Sequence, residues 1–180
     1  MIKTVREVVK FENKFWKLNN NEVIFEGKEK GNYVKLKSSA LAGVAVLPID
    51  PEGYIYIQDE YRYGIESYMT HIVMGGQTID ETTEEAALKE MQEEIGLSTN
   101  NKLISYGFFR EMVNIMDQKL FLFVATDVFS DKSRDKENTE FFKNKRKIKL
   151  EDAFLMAMKN EFNCAATELL IIKHFLSLKK

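Results

Sequence analysis

Cysteine is almost absent from this chain of 180 residues: Cys164 stands alone. No internal disulfide can form, and a reducing compartment, the cytoplasm, is the expected location. Proline is nearly as scarce, present only at Pro48 and Pro51. Long apolar runs are missing too. The first residues, MIKTVREVVKFENKFW, contain none, so neither a signal peptide nor a transmembrane helix is expected. No sign of charge dominates: 26 Lys and Arg against 28 Asp and Glu leave a net −2. That balance argues against bulk nucleic acid as a partner. It leaves room for an anionic substrate held by a metal and a few placed cations. There is no fixed-period repeat, low-complexity tract or clear linker. What remains, 44% hydrophobic and 30% charged residues, is ordinary for a soluble globular protein long enough to bury one full core.

The informative stretch is Gly75 to Leu97, GGQTIDETTEEAALKEMQEEIGL. Thr82 followed by Glu85 reads as a capping box that starts a helix. Leu88, Met91 and Ile95 recur at helical spacing and give it a buried side. Gly96 supplies the left-handed residue that stops it. Glu90, Glu93 and Glu94 fall at i, i+3 and i+4 on one face, where like charges destabilise a helix by a few tenths of a kcal/mol (~0.2–0.5). A divalent cation relieves that repulsion, and Mg²⁺ prefers such oxygen ligands while keeping waters for a phosphate. Glu84 and Glu85, in the first turn, read instead as plain dipole partners.

The same segment resembles the Nudix box, G-x5-E-x7-R-E-U-x-E-E-x-G-U, with U a bulky aliphatic residue. Gly75, Glu81, Glu90, Met91, Glu93, Glu94, Gly96 and Leu97 occupy its fixed positions, and Lys89 stands where the family has Arg. Lys keeps the charge but loses the planar two-pronged fork. The resemblance implies Mg²⁺, or Mn²⁺ in its place, on Glu90, Glu93 and Glu94 with the carbonyl of Met74. It implies Glu93, or a loop glutamate, as general base, and Glu81 as a support of the loop and the metal. Asp59 to Gly64, DEYRYG, is similar to the QYRY-type segment of ADP-ribose pyrophosphatase-like members. There Arg62 and its neighbour Tyr63 would meet substrate, or Arg62 would lie at a dimer interface. Where that group reads E-L-P-A-G, this chain reads His71-Ile72-Val73-Met74-Gly75. His71 is then either a polar substrate contact or a ring held in place by hydrogen bonds. A proline common some sixteen residues past the box is absent.

In chain order, residues 1–37 read as a strand meander, with Val5 to Phe11 one strand, Asn19-Asn20-Asn21 a turn, Val23 to Phe25 a return strand and Tyr33 to Lys37 a third. It is too thin for a core of its own and must pack on the main domain or mediate a homodimer. Residues 38–180 form the main domain. Leu41 to Ile49 reads as a buried strand, Asp50 to Gly53 as a turn, and Tyr54 to Gln58 as the hairpin partner. Met69 to Met74 is a strand leading into the box. Leu103 to Phe109 and Lys119 to Ala125 are two more, joined by a substrate-selecting loop. Asp127 to Lys147 reads as a charged mobile loop, on which the resemblance places a further catalytic glutamate, Glu137 or Glu140. Leu150 to Asn160 and Ala165 to Leu178 read as helices. The fold expected is α+β: a Nudix-type α/β/α sandwich with a mixed sheet, plus the N-terminal meander.

The implied function is Mg²⁺-dependent hydrolysis of the diphosphate of ADP-ribose or a related nucleotide sugar. The alternatives are another nucleotide sugar such as GDP-mannose, or a non-catalytic sensor of a nucleotide-ribose ligand.

Overall fold

The computed structural model describes residues 1–131 and 142–179. Its organising strand is β5 (Ala42–Pro48), the centre of a mixed sheet with β8 (Val73–Gln77), β10 (Ile104–Arg110) and β11 (Lys119–Ala125), in the order β10-β11-β5-β8. β5 runs parallel to β11 and antiparallel to β8. Because both its faces are covered, its sequence is apolar without alternation. Val44 and Val46 pack with Ala86, Ala87 and Met91 of helix α1 (Thr83–Ile95). Ala45 and Leu47 pack with Leu150, Ala153, Leu170 and Ile171 of helices α2 (Leu150–Ala157) and α3 (Ala165–Ser177). This is the expected α/β/α sandwich.

A second sheet, in the order β13-β6-β7, joins β13 (Phe142–Lys149), β6 (Tyr54–Arg62) and β7 (Ser67–His71). Several departures from the sequence expectation appear here and at the N-terminus. First, β5 and β6 are not a hairpin ladder. They share one isolated bridge, Ile49 to Ile55, because each already has both edges occupied by other strands. Second, the strand expected over 69–74 is two strands, and the chain changes sheets at Ile72. Third, the charged loop ends earlier than expected: residues 142–149 pair with β6. Their alternating cations had masked a strand that is mostly exposed.

Fourth, Asn19-Asn20-Asn21 is not a turn. These residues lie inside the nine-residue strand β3 (Trp16–Ile24), flanked by β1 (Lys3–Arg6), β2 (Val9–Glu12) and β4 (Lys30–Ser38). Asn19 and Asn21 are buried, and Asn21 Oδ1 accepts from the Val8 N–H at 3.2 Å. Neighbours on both edges of β3 override the turn preference of Asn. Val5 to Phe11 likewise splits into β1 and β2. The N-terminal sheet is stitched to the 110–118 loop, where the Leu36 N–H donates to the Ile115 carbonyl at 2.7 Å. A short ladder of β9 (Leu97–Ser98) with β12 (Phe129–Ser130) completes the elements. Among the described residues, no helix is long and apolar enough to cross a membrane.

Candidate active site

α1 begins as its sequence dictates. Thr82 caps it: its Oγ1 accepts from the Glu85 N–H at 3.2 Å, while Glu85 Oε2 accepts from the Thr82 N–H at 2.8 Å. At the other end Gly96 adopts φ 66° and its N–H reaches the Gln92 carbonyl. Between β8 and the helix, Glu81 organises the loop. Its Oε1 accepts from both the N–H and the hydroxyl of Thr78, each at 2.8 Å, and the Lys89 ammonium lies 3.7 Å away. The Thr78 N–H, first among these contacts, holds the Glu81 carboxyl below its ordinary value against the opposing pull of burial. The Glu81 carbonyl accepts from Gln77 Nε2 at 2.7 Å. Lys89 thus reaches the Glu81 carboxylate with a single ammonium, where an Arg would bring a planar fork.

Glu90 lies directly on the backbone of the box glycines. Its Oε1 accepts from the Gly76 N–H at 3.3 Å. A Cβ on Gly75 would fall inside the Glu90 carboxyl group, so any other residue there would push that carboxylate off the loop. Glu93 follows on the half-exposed flank of the helix. Glu94, only 2% exposed, turns inward beside Met91 and accepts from Gln58 Nε2 of β6. Burying a carboxylate demands such a donor. Lys145 Nζ of β13 donates to the backbone carbonyl of the same Glu94.

A second cluster lies along the β6–β7 ladder, where Gln58 faces His71. Glu60 Oε2 is 2.7 Å from Arg62 Nη2 and 3.0 Å from His71 Nε2. His71 is fully enclosed, with Nδ1 against the Ile72 carbonyl. Tyr63, by contrast, is 84% exposed, in a single 3₁₀ turn at Tyr63–Ile65. Gln58 joins the two clusters, since it touches Glu94 and pairs across the ladder with His71. Glu137 and Glu140 lie outside the described residues.

Sequence reading did not single out Gln58, Glu60, Asp59 or Lys145. The signal available was thin: two polar residues two apart, Gln58 and Glu60, on one face of a strand that begins YIYI, both buried. The Asp59 carboxylate accepts from Thr70 Oγ1 (2.6 Å), Asn144 Nδ2 (2.9 Å) and Arg146 Nη1 (3.1 Å). Burial pushes its acidity one way, and these three donors overcome it and hold the carboxyl below its ordinary value.

As they stand, no three Asp, Glu, His or Cys side chains among the described residues are gathered tightly enough to enclose a metal ion. The donors nonetheless suit a hard cation. Carboxylates of Glu90, Glu93 and Glu94 lie within one and a half turns, and Glu90 rests where Gly75 leaves the backbone bare next to Met74. A cavity of about 710 Å³ elsewhere, lined by residues including Ile104, Leu150, His174 and Leu178, involves none of these groups.

Residues 40–166 match the NUDIX domain family. The chain belongs to that family. Membership makes it a hydrolase acting on pyrophosphate bonds, in a family that generally works with divalent cations. A relative, the ADP-ribose pyrophosphatase of Bacillus subtilis (strain 168), is 28% identical over 137 residues, which is 76% of this chain and 72% of that protein. A crystal structure of an ADP compounds hydrolase superposes with a TM-score of 0.83 at 18% identity, over 99% of this chain and 95% of the other. At that identity the likeness concerns the fold, and it extends through the N-terminal sheet.

Proposed function

We propose that this Nudix hydrolase cleaves the diphosphate of ADP-ribose, or of a closely related nucleoside diphosphate sugar, into a nucleoside monophosphate and a sugar phosphate. The observation that carries the reading is Glu90 seated on Gly75 and Gly76, with Glu93 and Glu94 on the next turn. The named B. subtilis relative supports the choice of substrate.

A divalent cation, Mg²⁺ first and Mn²⁺ as substitute, held by Glu90, Glu93, Glu94 and the Met74 carbonyl, would neutralise phosphate charge and make a water more acidic. The protein's own groups do the rest. A Glu93 carboxylate oxygen takes the proton as water attacks one phosphorus, and the second phosphate departs with the bridging oxygen. Glu137 or Glu140 is the alternative base. Glu81 steadies the loop through Thr78 and Lys89. Arg62, held at one nitrogen by Glu60, offers its other N–H groups to the diphosphate or the base. Tyr63, exposed beside it, offers a ring face to the nucleoside. His71 lies behind, with Nε2 3.0 Å from the Glu60 carboxylate.

Residues 1–37 serve as a dimerisation element in this reading. The family match begins at residue 40, after β4, and the sheet exposes Val5, Val9, Phe11, Phe15, Trp16 and Val34. A monomeric mass in solution would remove this part.

The deciding experiment is product analysis over ADP-ribose, other ADP-sugars, GDP-mannose, a dinucleoside polyphosphate and a nucleoside triphosphate, with Mg²⁺. AMP and ribose 5-phosphate from ADP-ribose, at the highest kcat/KM, are expected. Preference for the polyphosphate or triphosphate defeats the sugar reading.

A further inference from the structure

Helix α1 ends against its own dipole. Glu93 and Glu94 lie in its last turn and Glu90 in the turn before, at the negative end, with no basic residue in that last turn. A positive charge reaches this end from another element. The pairing of β13 with β6 slips between Lys143 and Arg146, and Asn144 inside the slip has φ 51°, a backbone conformation that Asn tolerates better than most residues. Asp59 of β6 clasps both sides of Lys145 by accepting from Asn144 Nδ2 and Arg146 Nη1. The extra residue of such a bulge re-aims a side chain. Here the Lys145 ammonium is brought to the Glu94 carbonyl, on the acidic turn itself.

We infer that Lys145 is a positioning residue, a built-in counter-cation that steadies the acidic end of α1 before a divalent ion arrives and opposes that ion electrostatically once it binds. The inference rests on the proposed metal site. It explains why a strand bulge, rather than the helix, carries the charge. Lys89 of α1 is turned to Glu81, and a cation fixed in the last turn would sit among the carboxylates permanently, whereas Lys145 is an exposed side chain on a long stem that can yield. Two cations drawn to the same acidic turn, Lys145 at the Glu94 carbonyl and a metal at the carboxylates, are thermodynamically linked, so removing one strengthens the hold on the other.

The test uses the full chain and Mn²⁺ alone, without nucleotide. Melting temperature is measured in EDTA and along a Mn²⁺ titration, and Mn²⁺ uptake is read directly by electron paramagnetic resonance. Lys145→Met is expected to melt lower than the parent in EDTA, to close much of that gap at saturating Mn²⁺, and to bind Mn²⁺ on the order of fivefold more tightly, the low end of such couplings because Lys145 is exposed. Lys145→Arg keeps the charge and should restore parental behaviour. Asp59→Asn, which loosens the bulge and keeps Lys145, should shift the same quantities in the same direction by less. An equal melting loss with and without Mn²⁺, at unchanged Mn²⁺ affinity, overturns the inference and leaves Lys145 a merely structural contact. Should Lys145→Met fail to fold, unchanged Mn²⁺ affinity in Asp59→Asn overturns it equally. A parent protein that takes up no Mn²⁺ defeats the metal-site reading as well, a failure visible before any variant is made.

Discussion

The two ends of helix α1 use the same amino acid for opposite purposes. At the N-terminus, Glu84 and Glu85 sit where the helix dipole favours a negative charge, and Glu85 closes a capping box with Thr82. At the C-terminus, Glu90, Glu93 and Glu94 sit where the dipole opposes them, and one of the three is buried. The first set lowers the free energy of the helix; the second raises it. Position within the helix, more than residue type, separates carboxylates that build the helix from those proposed to serve the chemistry.

This contrast can be broken at several points. Glu94→Gln should keep the far-ultraviolet circular dichroism of the parent and lower kcat by more than about 100-fold, beyond the usual cost of losing a supporting partner. Near-normal turnover removes Glu94 from the chemistry. Gly75→Ala should displace the Glu90 carboxylate and cost about 100-fold in kcat/KM, the scale of a roughly 1 Å misplacement. Steady-state kinetics on folded protein checks it, and an unchanged rate means that Glu90 need not rest on the loop.

At the building end, Thr82→Ala should cost about 1 kcal/mol of stability in a denaturant melt and leave kcat/KM near the parental value. A large kinetic loss without a stability change would merge the two ends and void the comparison. The acid limb of stability sharpens it. Glu81 and Glu85 have carboxyls held below their ordinary values, Glu81 chiefly by the Thr78 N–H and Glu85 by the Thr82 N–H. Each therefore stabilises the fold fully above the unfolded-state value, near pH 4.3, and loses that contribution as pH falls through the lower folded value. Glu81→Gln should flatten part of the stability decline below about pH 4; an unaltered decline would mean that Glu81 does not tie the loop. The smallest effect is expected from Lys89→Arg. A guanidinium fork should reach Glu81 better than the 3.7 Å ammonium does, so activity should hold or rise slightly. A marked loss in the same assay assigns Lys89 a role of its own.

The helix was legible because its signals are local. Thr82, Glu85 and Gly96 act within four residues of the groups they satisfy, and the structure places all three as expected. β5 was equally plain, since two covered faces leave an unbroken apolar run. What stayed hidden depends on partners distant in sequence. The separation of β5 from β6 follows from strands that take their edges. The burial of Asn19 and Asn21 follows from neighbours on both sides of β3. Lys145 is 51 residues from Glu94, and its exposed strand shows no apolar alternation to betray the pairing. At the site itself, the box glutamates announce themselves by spacing, whereas Glu60 and His71 meet only because β6 and β7 lie side by side.

The hydrogen bond from Leu36 to Ile115 has a practical implication for anyone shortening this protein. Deleting the first 37 residues as a dispensable appendage would strip a carbonyl of its donor in the very loop expected to choose the substrate. A trimmed enzyme that still turned over would then report the preferences of a slackened loop, and its substrate ranking would belong to the fragment rather than to the parent.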